Sequence, residues 1–161
     1  MATLERSESV SVSSLLSEDL IGAELEASSR TDVFEDLLDL LNDAEKINEV
    51  ETALSDIEER EEILSTGIGD GVAIPHAKTS AVDSLVAAFG RVPDGVDFKS
   101  LDGKPARLIF LLLSPQNEAG MHVRALARIS RMLKNVNFRE KMLEANDAEE
   151  IFEIISSEEI R

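Results

Sequence analysis

ARLIFLLL, residues 106–113, ends in LIFLLL, the longest apolar stretch of the chain. It is far too short to cross a bilayer as a helix. Bounded by LDGKP on one side and a proline on the other, it fits a strand buried on both faces. Two further strand-like pieces precede it, VAI at 72–74 and SLVAAFGRV at 84–92, with PDG and LDGKP as the turn-forming stretches between strands. Beyond it the period changes. GMHVRALARISRMLK, 120–134, predicts an amphipathic helix, and shorter helices are expected at 137–144 and 147–157. Upstream, Thr31-Asp32 is a plausible helix start, followed by Phe34, Leu37, Leu38 and Leu41 at three-four spacing. A second helix is expected over 47–64, with its charges outward and Val50, Leu54, Ile57 and Leu64 turned to the core, until Gly67, Gly69 and Gly71 stop it. Helices, then strands, then helices predict an α/β (α+β) sandwich around a buried central strand, with no internal repeat.

Composition narrows the function. With 161 residues, 43% of them hydrophobic, the chain suits a single domain with a real core. A formal charge of −17, from 33 acidic against 16 basic side chains, argues against non-specific attraction to a nucleic-acid backbone or an anionic membrane. A local site of opposite sign still leaves an anionic substrate open. The absence of cysteine rules out disulfides, a thiol nucleophile and thiolate metal ligands. MATLERSESVSVSSLL, at the start, has no basic segment followed by a long apolar run, so no signal peptide or anchor is expected and the domain is placed in the cytoplasm. The Ser/Glu-rich residues 1–14 are expected to be partly disordered.

The chemistry centres on GIGDGVAIPHAKTS, 67–80, which holds one of only two histidines. The glycines are not a P-loop, because the closing lysine and hydroxyl are missing, and they do not lie between a strand and a helix as a dinucleotide fingerprint would. Turn formation and anion cradling both remain open for them. Pro75 fixes its own φ and biases Ile74 toward extended backbone, so His76 can be presented rigidly. His76 alone fits either a turn residue or a nucleophile, since imidazole is substantially neutral near pH 7.

On the helix expected over 120–134, steps of about 100° put His122 on the face of Leu126, Ile129 and Leu133, near the helix start. It fits a satisfied core-edge histidine or a partner to a neighbouring group. Arg124, Arg128 and Arg131 fall on the opposite face, for solvation or partner docking. Arg60, inside EEREE, fits surface ion pairing, or a fork turned back toward His76 to meet a phosphoryl group. Lys78 and Thr79 could assist from the same loop. Neither HExxH nor a local His/Asp/Glu cluster with ligand spacing is present, so zinc catalysis is not supported. Among 33 acids, choosing a catalytic carboxylate pair would be arbitrary.

STGIGDGVAIPHAKT (65–79), SLDGKPARLIFLLLSP (100–115) and GMHVRALARISRMLKN (120–135) resemble, in that order, the IIA component of the bacterial phosphoenolpyruvate-dependent phosphotransferase system, in its fructose, mannitol and nitrogen-regulatory class. The likeness runs over about 10–157, and suggests an extension at 1–10 before the domain at 11–161. It implies a mixed β-sheet flanked by helices and a phosphohistidine relay needing neither cofactor nor metal. His76 is then the phosphoryl acceptor, through its tele nitrogen; His122 supports by hydrogen bonding, and Arg60 stabilises the phosphate. The implied donor is the histidine-containing phosphocarrier protein, and the implied recipient a sugar-specific IIB/IIC permease or, in the nitrogen-regulatory branch, regulatory target proteins. No recognisable IIB segment or permease is attached, so a freestanding IIA is expected. The net charge predicts docking through a local apolar or basic patch, to which Arg124, Arg128 and Arg131 are candidates to contribute.

Overall fold

A computed structural model describes residues 10–160. Six strands, Ile21–Gly22 (β1), Gly67–Gly69 (β2), Val72–Ala73 (β3), His76–Lys78 (β4), Val86–Val96 (β5) and Ala106–Ser114 (β6), form one mixed sheet in the order β1-β5-β6-β3-β2, with β4 also paired to β6. β5 and β6 are antiparallel; β3 and β4 each run parallel to β6, and β1 runs parallel to β5. Among the described residues six α-helices surround the sheet: Val12–Leu15 (α1), Arg30–Asp43 (α2), Val50–Ile63 (α3), Ala119–Lys134 (α4), Val136–Glu144 (α5) and Ala148–Ile160 (α6). The apolar run is thus the central strand, and Leu108 to Leu113 are all buried.

Register shows which helix covers which face. Gly90 faces α2 and the segment before it: a Cβ there would sit 2.5 Å from Leu25 and 3.0 Å from Leu37 of α2. Arg91, one residue on, points the other way. Its guanidinium donates to the carbonyls of Met142, Leu143 and Ala145 at the end of α5, and its Nε to that of Ala23. Phe89 shares the Arg91 face and stands opposite Phe110, their ring centroids 4.8 Å apart. By the same alternation Leu108, Phe110, Leu112 and Ser114 face the C-terminal helices.

Several expectations need correction. PDG at 93–95 does not end a strand. β5 continues through it to Val96 as a bulge, the register jumping from Arg91 opposite Leu108 to Val96 opposite Ala106. Pro93 has no N–H for the ladder, and its carbonyl instead accepts from Arg107 Nε at 3.0 Å. Leu64 is exposed rather than core. It follows the last helical residue of α3 with extended backbone, where helical periodicity no longer applies. Glu61, expected outward, is buried: its carboxylate pairs with Arg30 at 3.3 Å and accepts from both Thr66 N and Thr66 Oγ1. At the N-terminus, the expected disorder and the 1–10 extension lie mostly outside the described residues. From Val10 onward, however, the chain packs. Val10 and Val12 join the core, and Glu159 of α6 accepts from Val12 N at 2.6 Å and Ser13 N at 2.7 Å. Helix α2 begins at Arg30, one residue before Thr31, because the Ser29 side chain caps Asp32 N.

Candidate functional site

The glycines turn the chain. Asp70 and Gly71, with φ of 57° and 79°, close the hairpin between β2 and β3, and Gly69 also has positive φ. Val72 pairs with Leu108 whereas His76 pairs with Leu112, four residues or about 13 Å further along β6. The glycine hairpin therefore aligns the strand that leads to His76 and does not cradle an anion beside it.

Between them, Ile74 and Pro75 orient the imidazole. Ile74 N bonds to Thr66 O, and Pro75 O accepts from Leu112 N, which leaves the Ile74 carbonyl for His76. His76 Nδ1 lies 2.7 Å from that carbonyl oxygen, which only accepts, so Nδ1 carries the proton and Nε2 keeps a lone pair. Arg60 places Nη2 3.4 Å from this Nε2 and donates from Nη1 to Leu64 O at the end of α3. Burial holds His76 below the ordinary histidine range, opposed by its bond to Ile74, assisted by the Arg60 charge and opposed again by Glu61. The ring is thus kept neutral and half-buried, with Nε2 unprotonated beside Arg60.

His122 faces it from the first turn of α4, the ring centroids 5.6 Å apart at 61°. Its Nδ1 is 2.6 Å from Ser114 Oγ. Burial, followed by the neighbouring His76, Lys78 and Arg60, pushes its pKa down to about 4. The inward face expected for this helix is found at His122, Ile129 and Leu133, with Leu126 half-buried at the cavity wall.

The three residues border one cavity of about 540 Å³. Lys78, Gln116, Asp56 and Glu59 supply its polar rim, and Ile63 and Val123, both largely exposed, its apolar rim. Sequence reasoning missed Ser114, Gln116 and the two rim carboxylates. Only the placement of α3 against β4 brings Asp56 and Glu59 here. Thr79 does not reach the cavity: it is buried, with its hydroxyl accepting from Ala81 N. Arg128 and Arg131 line a different cavity, where Arg128 pairs with Glu159 at 3.4 Å.

A neutral imidazole with its Nε2 lone pair at a cavity, one guanidinium nitrogen beside that lone pair and a second neutral imidazole suit transfer of a phosphoryl group. Residues 14–158 match the family described as Phosphoenolpyruvate-dependent sugar phosphotransferase system, EIIA 2. The chain belongs to that EIIA 2 family. The domain is 37% identical over 145 residues to the PTS system fructose-specific EIIA component of Haloferax volcanii, covering 90% of this chain and 94% of that one. It is 38% identical over 145 residues to the fructose-specific EIIABC component of Bacillus subtilis, covering 90% of this chain but only 23% of that longer relative. The crystal structure of nitrogen regulatory protein IIA-Ntr from Neisseria meningitidis superimposes with a TM-score of 0.79 at 32% identity, over 89% of this chain and 98% of that one. The same fold, at TM-score 0.76 and 19% identity over 88% of this chain and 97% of that one, occurs in the solved complex of enzyme IIAMTL with phosphorylated enzyme IIBMTL from Escherichia coli. The EIIA 2 domain is therefore a phosphotransferase component. Among its described residues no helix is long and apolar enough to cross a membrane.

The depressed His122 predicts a pH dependence of folding. An unfolded histidine takes up its proton near 6.5 and folded His122 only near 4, so between these values the unfolded EIIA 2 chain binds more protons and stability falls as pH falls. Lowering pH from 7 to about 4.5 is expected to cost roughly 2–3 kcal/mol through His122, with His76 adding in the same direction. Urea unfolding of wild type and His122→Gln at several pH values checks this: the variant's stability should fall less steeply. Equal slopes would remove His122 as the cause.

Proposed function

We propose that this EIIA 2 domain accepts a phosphoryl group on His76 Nε2 from the histidine-containing phosphocarrier protein and passes it to the IIB domain of a fructose-type sugar phosphotransferase system in the cytoplasm. The observation that carries the proposal is the tethered imidazole: Nδ1 is bound to the Ile74 carbonyl, and the lone pair of Nε2 lies opposite the Arg60 guanidinium. In the step, the His76 Nε2–phosphorus bond forms as the donor's nitrogen–phosphorus bond breaks, with that electron pair returning to the donor imidazole. Each imidazole keeps the proton on its other nitrogen. Arg60 neutralises the transferred oxygens, and His122 offers them a hydrogen bond.

The rim of the cavity suits protein partners. Ile63 and Val123 stand 76% and 62% exposed, and Leu64 and Met121 are exposed nearby in sequence. Such side chains gain most by being covered when a partner docks. That a fold relative was solved with a phosphorylated IIB supports a IIB recipient here. A second reading rests on likeness to nitrogen regulatory proteins, among them the Haemophilus influenzae homolog, 30% identical over 146 residues and 89% of each chain. There the same phosphohistidine would set the binding of regulatory targets.

The test is transfer from phosphoenolpyruvate through purified enzyme I and the phosphocarrier protein. Wild type is expected to gain an acid-labile, base-stable phosphate and lose it to a fructose-type IIB. His122→Ala should still be labelled, about 10–100-fold more slowly, because the nucleophile remains while a donor to the transferred group is gone. No labelling of wild type by active upstream proteins would refute phosphotransfer. Labelling with no discharge to any IIB would favour the regulatory reading.

A further inference from the structure

We propose that Ser114 is a positioning residue: its hydroxyl proton is donated to His122 Nδ1, fixing His122 as the tautomer that carries its proton on Nε2, toward His76. The inference deepens the phosphotransfer reading and rests on it for its functional consequence, but not for the tautomer itself.

Three observations carry it. Ser114 is fully buried at the end of β6, and among the described residues the only hydrogen bond of its hydroxyl is to His122 Nδ1 at 2.6 Å. Were Nδ1 the donor, the serine proton would be buried with no acceptor, an arrangement that protein interiors avoid. Donation by the serine satisfies both groups. Second, no buried side-chain nitrogen or oxygen among the described residues lacks a partner. His122 Nε2, which makes no hydrogen bond, must therefore open to the cavity that His122 lines. On this tautomer a donor N–H opens into the cavity that His76 also lines, its ring centroid 5.6 Å away.

Third, Ser114 is built into the scaffold of the acceptor strand. Lys78, two residues after His76, is its register partner, and Thr79 N donates to the Ser114 carbonyl at 2.8 Å. The residue that sets the His122 tautomer is thus fixed to the strand that carries His76. Both imidazoles are oriented by the same device, Nδ1 tied to an oxygen and Nε2 turned to the cavity, but with opposite protonation. His76 gives its Nδ1 proton to a carbonyl and keeps a nucleophilic Nε2. His122 accepts from a hydroxyl at Nδ1 and presents a donor. One serves as nucleophile and the other as oxygen-binding donor, and a carbonyl and a hydroxyl make the difference.

Long-range proton–nitrogen correlation spectra of the imidazoles, recorded on the unphosphorylated protein near pH 7, test the assignment directly. Wild-type His122 is expected to show unprotonated Nδ1 and protonated Nε2, and Ser114→Ala a mixture of tautomers. Transfer to Ser114→Ala is expected to slow roughly three- to tenfold, as for one neutral hydrogen bond. A wild-type His122 protonated on Nδ1 would overturn the proposal. So would a Ser114→Ala protein that transfers slowly with its His122 tautomer unchanged, since serine would then act only through packing. Wild type showing the expected tautomer but taking no phosphate would support the Ser114 assignment and refute the phosphotransfer reading instead.

Discussion

His76→Ala is expected to take up no acid-labile phosphate under conditions that fully label wild type, a loss of at least about 10³-fold in rate and effectively complete in yield. The size follows from the absence of a substitute. The chain has no cysteine and one other histidine. On the proposed tautomer the Nδ1 lone pair of His122 accepts from Ser114 and its Nε2 carries a proton, so neither nitrogen is left to attack. Removing the half-buried His76 ring takes away one hydrogen bond to Ile74 O, so the domain should stay folded, which a thermal melt of the variant would verify. Arg60 and the cavity rim would still allow the phosphocarrier to dock. Binding without labelling is therefore the expected pattern, measurable by titrating the two proteins together. Acid-labile label persisting on the alanine variant would show that the acceptor lies elsewhere and would undo the site as assigned.

What could be read from the sequence follows the reach of the forces involved. The central strand was legible because LIFLLL is apolar at every position, which only burial on both faces tolerates. The inward face of α4 was legible because His122, Ile129 and Leu133 repeat with the helical period. β4 was not legible: three residues, His76–Lys78, are a strand only because Leu112 to Ser114 lie alongside, and that pairing spans more than thirty positions of chain. Arg60 illustrates the same limit. In EEREE it cannot be told from a surface ion-pair residue. It becomes a partner of His76 only through the docking of α3 against β4, and the likeness to the family pointed to it where local pattern did not. Ser114 closes an apolar run and reads as an ordinary strand end. Its meaning depends on a residue eight positions on, across a turn.

Replacement of Arg91 is expected to cause the largest loss of stability. In SLVAAFGRV an arginine invites assignment to a solvated strand end, yet it is 6% exposed and has no carboxylate among its hydrogen-bond partners. What offsets its desolvation is a set of carbonyl dipoles. Three belong to the end of α5 and the residue that caps it, the negative pole of that helix, and the fourth is Ala23 O beside β1. One guanidinium thus joins β5, α5 and the segment after β1, and its planar fork meets carbonyls from several directions as a single ammonium cannot. Arg91→Ala would leave these carbonyls short of donors inside the fold and remove a large buried side chain, so about 3–5 kcal/mol should be lost. At roughly 2–4 °C per kcal/mol for a domain of this size, the melting temperature should fall by about 6–20 °C. Arg91→Lys should recover only part of that loss, because it replaces the fork by one charged centre. Phosphorylation of the folded fraction should persist in both variants, since Arg91 lies opposite Leu108 and His76 opposite Leu112 on the same central strand. Urea unfolding combined with the transfer assay separates the two effects. A loss below about 1 kcal/mol for Arg91→Ala would mean that water replaces the guanidinium at these carbonyls, and that the helix end does not depend on the buried charge.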